Sequence, residues 1–185
     1  LAHGLNVIAS DIRNGAEARL RDTVNRLWPS LPDALAKGGK RGELHFTIDP
    51  AEACRNADFV QENAAERLEL KVDLIRRIDA ATRPNVVIAS SSSALSVTDM
   101  QRACARPERV VLGHPFNPPH LVPLVEVVGG EKTEDAFLAS AERFYRRIGK
   151  VPVRLRKEIY GHIANRMQAA IFREAIHLLD SGVAS

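Results

Sequence analysis

Short apolar, β-branched runs alternate with amphipathic helical stretches along this 185-residue chain, and that alternation constrains the fold more than any other feature. Residues 5–10 (LNVIAS), 44–48 (LHFTI), 58–62 (DFVQE), 86–89, 110–112, 124–128 and 151–155 have the length and composition of strands. Between them, residues 15–28 place Ala16, Leu20, Val24 and Leu27 on one helical face, and Pro29 and Pro32 end the run. Residues 65–80 do the same with Leu68, Val72, Ile75 and Ile78. Residues 133–148 form a further helix, with Thr133 as its expected cap. Residues 163–179 form the longest, apolar at Ile163, Met167, Ala170, Ile171 and Leu178, with Gly182 beyond its end. Strands alternating with helices predict an α/β protein with a mostly parallel, doubly wound sheet covered on both faces.

Sheets of this kind gather ligands at the carboxyl ends of their strands. The residues found there are Asp11, Glu62, the serine run 90–93 and His114. An acid such as Asp11 at a strand end can accept hydrogen bonds from ribose hydroxyls and repel a 2′-phosphate, which favours NAD over NADP. Arg13, two residues on, opposes that preference. The matching glycine-rich loop belongs about 20 residues earlier, so the first strand and its loop are expected to be lacking here. The cluster Gly38-Gly39-Lys40-Arg41-Gly42 follows a proline-broken helix and lacks a P-loop ending, so it reads as a turn.

His114 stands within Gly113-His114-Pro115-Phe116-Asn117-Pro118, and Glu126 follows twelve positions later inside an apolar strand. A histidine can take a proton near neutral pH, and a carboxylate on an adjoining strand would fix its tautomer. A purely structural His–Glu pair is the local alternative. A metal site from His114, His120 and Glu126 lacks any standard ligand spacing.

Charge and cysteines exclude little else. The net charge is +3 and the pI about 9.1, but the arginines are scattered in pairs such as Arg76-Arg77 and Arg146-Arg147, without an aromatic ladder. Solvated helix faces explain them, and no nucleic-acid partner is expected. No apolar run approaches the ~18–20 residues of a membrane span, and no signal segment opens the chain, so a cytoplasmic protein without a membrane partner is expected. Cys54 and Cys104 are unpaired in sequence and suit a reducing compartment as small buried hydrophobes.

Four ordered blocks carry a family resemblance: Ala89-Ser90-Ser91-Ser92-Ser93-Ala94-Leu95, His114-Pro115-Phe116-Asn117-Pro118, Leu124-Val125-Glu126-Val127 and Gly161-His162-Ile163-Ala164-Asn165-Arg166. In this order and spacing they resemble the signatures of the 3-hydroxyacyl-CoA dehydrogenase family. The resemblance implies a Rossmann-type, N-terminally incomplete NAD-binding domain over residues 1–158. Residues 159–185 would then open an all-α domain that carries dimer contacts and closes the substrate cleft. It implies His114 as catalytic base, Glu126 as its orienting carboxylate, Ser93 at the substrate and nicotinamide, and Asn165 near the substrate carbonyl. Asp11, Glu66, Lys71, Ser93 and Asn117 would contact NAD. The expected reaction is NAD-dependent oxidation of a 3-hydroxy group on an acyl-CoA, in a homodimer.

Proline after His114 and proline before Leu124 look more like the carnitine and gulonate (lambda-crystallin-like) branches, which act on small free hydroxy acids. Gln61-Glu62-Asn63-Ala64-Ala65-Glu66 looks like the carnitine branch, whereas Asn165-Arg166-Met167-Gln168 resembles the acyl-CoA and gulonate branches. The helix after the strand at 5–10 is also Arg-bearing and Trp/Pro-interrupted, where acyl-CoA members carry a lysine-rich segment. A non-catalytic, crystallin-like structural role is the alternative of another class.

Overall fold

The computed structural model describes residues 1–36 and 39–184; Lys37, Gly38 and Ser185 lie outside the described residues, Gly38 with its part of the glycine cluster. The elements run β1 (Val7–Ser10), α1 (Ala16–Leu27), α2 (Asp33–Ala36), β2 (Leu44–Thr47), α3 (Pro50–Cys54), β3 (Phe59–Glu62) and α4 (Leu68–Ala81). They continue with β4 (Val87–Ser90), α5 (Val97–Met100), β5 (Val110–Pro115), β6 (Leu124–Gly129), α6 (Asp135–Arg147), β7 (Val151–Arg154) and α7 (Ala164–Asp180).

β1 and β2 pair in parallel, and β3-β4-β5-β6-β7 form a second sheet in which only the β5–β6 pair is antiparallel. The exception has a steric cause. Residues 116–123 are fewer than the dozen or so that a parallel crossover needs, and their prolines cannot build a helix there.

The period of two along each strand sends side chains to opposite faces of the sheet. Ile88, Val110 and Leu112 join Val60, Ile75, Ile78, Val97 and Met100 in one core. Val87, Ala89 and Val111 join Val125, Val127, Leu138, Ala141 and Tyr145 in the other. So α3, α4 and α5 cover one face and α6 the other, as expected for a doubly wound sheet.

Gly113 is required by close approach. A Cβ there would lie 1.8 Å from the Tyr145 hydroxyl. That hydroxyl donates to Gln61 Oε1 at 2.6 Å, while Gln61 Nε2 donates to the Gly113 carbonyl at 3.1 Å.

Two expectations need correction. Thr133 does not cap α6. Its hydroxyl donates to the Val110 carbonyl at 2.7 Å and accepts from the Gly130 amide at 2.9 Å, and Glu134 holds the cap position without a side-chain bond. The helix expected from residue 65 begins at Leu68, because Glu66 is drawn into a turn by the serine loop.

The apolar stripe of α7 is present but uncovered. Among the described residues no side chain of α7 is buried, and Met167, Ile171, Phe172 and Ile176 are all exposed. No described helix is long and apolar enough to cross a membrane. Cys54 is buried and Cys104 half-buried, and burial pushes both thiols up to about 11, so neither is a thiolate at neutral pH.

Candidate active site

The antiparallel pairing sets His114 of β5 directly opposite Glu126 of β6. Facing residues in such a ladder point to the same side of the sheet, so the ring and the carboxylate meet. His114 Nδ1 lies 3.0 Å from Glu126 Oε2, and both side chains are at most one-tenth exposed. A carboxylate only accepts, so Nδ1 carries the proton and Nε2 is left with a lone pair. Glu126 Oε1 accepts from the Ile163 and Ala164 amides at 2.9 and 3.0 Å, at the entrance of α7. Both oxygens of this buried acid therefore have partners, which is what its place in an apolar strand requires.

The serine loop after β4 forms the second wall. Ser90 donates to Glu62 Oε2 at 2.5 Å. Glu62 also receives the Lys71 ammonium at 2.9 Å on both oxygens. Glu66 Oε1 accepts from the Ser92 hydroxyl at 2.5 Å and from the Ser93 and Ala94 amides at 3.0 Å. Burial alone would raise Glu66, but these donors and Lys71 outweigh it and hold the carboxyl below its ordinary range. Asn165 Nδ2 donates to the Ser93 carbonyl at 3.0 Å. Ser93, His114, Glu126 and Asn165 are thus brought to one region by β4, β5, β6 and the start of α7.

The expected cofactor residues are distributed differently. Lys71 is fully buried, its ammonium enclosed by Glu62, the Ala64 carbonyl at 3.0 Å and Glu66 at 3.7 Å. Asn117 is exposed on the loop after β5. Asp11 stands just past β1, and the Arg13 guanidinium grips it at 2.5–3.1 Å, holding its carboxyl below the usual range. Beside it, Ile12, Arg13, Asn14, Phe46 and Ile48 line a depression of about 540 Å³.

His162 was not singled out by sequence. It is 2% exposed, its ring centroid lies 5.5 Å from that of His114, and its Nε2 meets the Ser92 carbonyl at 3.1 Å. The one signal was its place between Gly161 and an apolar helix. Among the described residues, no three His, Cys, Asp or Glu side chains gather as a metal site.

A doubly wound sheet with its polar residues collected beyond the strand ends defines a Rossmann-type dinucleotide-binding domain. The sequence model of the family described as 3-hydroxyacyl-CoA dehydrogenase, NAD binding domain, matches residues 1–159. The chain belongs to this family, whose domain takes NAD as cofactor. It is 50% identical to an L-carnitine dehydrogenase of Pseudomonas syringae and 51% identical to one of Streptomyces coelicolor, in each case over the whole chain. It spans 58% of the length of these curated relatives.

Among solved structures, it is similar to a 3-hydroxybutyryl-CoA dehydrogenase of Escherichia coli, with TM-score 0.87 and 30% identity over 99% of this chain and 39% of that one. It is also similar to a 5-formyl-3-hydroxy-2-methylpyridine 4-carboxylic acid 5-dehydrogenase described as an NAD+ dependent dismutase. There the TM-score is 0.89 and the identity 35%, over 99% of this chain and 60% of that one.

Proposed function

We propose that the natural chain carrying this sequence oxidises the 3-hydroxyl of a small free hydroxy acid to a ketone with NAD, L-carnitine being the leading substrate. The buried His114–Glu126 pair beside the serine loop carries the reading of reaction type. The identity of about half to L-carnitine dehydrogenases favours the free acid over an acyl-CoA. The family as a whole and the bacterial 3-hydroxybutyryl-CoA dehydrogenase support acyl-CoA oxidation as the second reading.

The donor sets at the two ends of the domain suit NAD. At one end, the depression near Asp11 has the apolar walls Ile12, Phe46 and Ile48 for a flat base, and an ionised acid for ribose hydroxyls. At the other, Ser93, His114 and Asn117 would flank the nicotinamide. In this reading Glu66 and Lys71 act by shaping the serine loop. Bound NAD supplies a two-electron acceptor for the carbinol hydrogen.

His114 Nε2 takes the hydroxyl proton as the C=O bond forms, and Glu126 stabilises the imidazolium through Nδ1–H. Asn165 orients the substrate carbonyl. We read residues 1–158 as the NAD-binding part and residues 159–185 as the opening of a helical part. The exposed face of α7 suits burial in a homodimer.

The test is a panel of NAD-reduction assays with L-carnitine and L-gulonate, and with acetoacetyl-CoA in reverse. L-Carnitine is expected to give the highest kcat/KM. A higher value with acetoacetyl-CoA overturns the substrate assignment, and silence with all three while NADH still binds favours a structural role. Replacing Asp11 with alanine is expected to weaken NADH about tenfold, the worth of one charge-assisted hydrogen bond. NADH fluorescence titration reads this directly, and an unchanged Kd removes Asp11 from the site.

A further inference from the structure

We propose that His162 is a positioning residue that locks the serine loop to the His114–Glu126 pair, an assignment that rests on the dehydrogenase reading above. The segment 161–165 reaches both halves of the site. Toward the serine loop, His162 Nε2 lies 3.1 Å from the Ser92 carbonyl, and Asn165 Nδ2 donates to the next carbonyl, that of Ser93. Toward the catalytic pair, the Ile163 and Ala164 amides both donate to Glu126 Oε1. No other short segment among the described residues bonds to both the serine loop and Glu126.

The backbone shows how this is done. Gly161 and His162 are both left-handed, at φ 73° and 50°, and Ile163 returns to the right-handed region at φ −88°. Such a left-to-right succession turns consecutive amides toward a single anion, here Glu126. A non-glycine residue at positive φ is strained, and strain of that kind is kept only where surrounding contacts hold it. The Ser92 bond and the packing against His114 are those contacts.

The chemistry of the ring fits the role. A carbonyl only accepts, so His162 Nε2 carries a proton, and in the neutral ring Nδ1 is an acceptor. That Nδ1 is buried without a partner among the described residues. Burial lowers the proton affinity of His162 and the nearby His114 lowers it further, against the opposing pull of the Ser92 carbonyl, Glu126 and Glu66. A neutral neighbour leaves His114 free to take up positive charge, where a charged one would oppose it.

Three variants of the natural full-length chain separate the contributions. His162→Phe keeps a ring and loses the donor. His162→Gln keeps an amide N–H with the reach to meet Ser92. Both retain the left-handed backbone penalty, so that term cancels between them. His162→Phe is expected to lower kcat about tenfold or more, because small misplacements of reacting groups are costly, and to leave KM for NAD within about twofold. His162→Gln is expected to recover most of the loss.

Backbone amide exchange at Ile163 and Ala164 reads the lock without catalysis. It should quicken in His162→Phe and stay near wild type in His162→Gln. Wild-type kcat in His162→Phe, or equal losses in both variants with slow exchange retained, overturns the assignment. If His162→Phe does not fold, His162→Asn replaces it, since asparagine tolerates the backbone but is too short for Ser92. If the parent chain oxidises no hydroxy acid, the dehydrogenase reading fails on its own, and unchanged exchange in the variants still refutes the lock.

Discussion

Replacing His114 with alanine is expected to cut turnover of the natural chain by about 10²–10⁴-fold, the usual worth of a positioned general base. In the proposed mechanism the loss should fall on kcat, because the nicotinamide and substrate would be held by other groups and the step lost would be removal of the hydroxyl proton. The variant should still fold. Glu126 loses its imidazole donor but keeps the Ile163 and Ala164 amides on its other oxygen. One buried acceptor left short costs about 1–3 kcal/mol, a modest part of a domain's stability. Circular dichroism and NADH titration on the same preparation separate the outcomes. Near-normal kcat in a folded variant would remove His114 from the mechanism.

Arg109→Met is expected to destabilise the domain by about 3–5 kcal/mol, because it strands a buried carboxylate. Arg109 and Asp79 are almost wholly enclosed, with Arg109 Nη2 2.6 Å and Nε 3.0 Å from Asp79 Oδ1. The same guanidinium donates to the Asp79 carbonyl at 2.6 Å and to the Arg83 carbonyl, so it also caps the negative end of α4. Asp79 Oδ2 keeps the Ala105 amide at 2.8 Å, and Arg106 stays 3.6 Å from Oδ1, so the lower part of that range is favoured.

Removing both partners, as Asp79→Leu with Arg109→Met, should cost less than Arg109→Met alone, since no fully buried charge is then left unpaired. Arg106, which also loses Asp79, is part-exposed and keeps the Thr82 carbonyl. Urea unfolding of the four chains of the cycle measures it. A single-variant loss below about 1 kcal/mol would show the pair to be solvated. Arg109 directly precedes β5, whereas His114 stands toward the far end of that strand, and Arg109 bonds to Asp79, Thr82, Arg83 and Val86. The Kd for NADH of the folded Arg109→Met variant should therefore match the parent.

The pairing of His114 with Glu126 was legible in sequence for a simple reason. An acid in the apolar run Leu124-Val125-Glu126-Val127-Val128 must find a buried partner, and His114 was the nearest titratable group at a strand end. Asp11 and the serine run were legible in the same way, as polar residues directly after apolar runs. Thr133 misled because its type and position fit a cap, while the nearby Val110 carbonyl offered its hydroxyl a better bond. Arg109 gave no local sign that it would be buried, since arginine is commonly exposed and its partner Asp79 is thirty positions away. His162 was hidden inside a block whose neighbours carried the resemblance.

Local chemistry in the sequence therefore determined the strands, the helices, the two-faced core and the residue types at the strand ends. Periodicity, proline and glycine act between near neighbours and leave their marks in any short window. Only the tertiary structure decided that β5 and β6 run antiparallel with His114 facing Glu126, and that residues 161–165 join the serine loop to that pair. Those facts depend on register and on bonds between residues far apart in the chain, which exist only once the sheet has formed and water has been excluded from its edge.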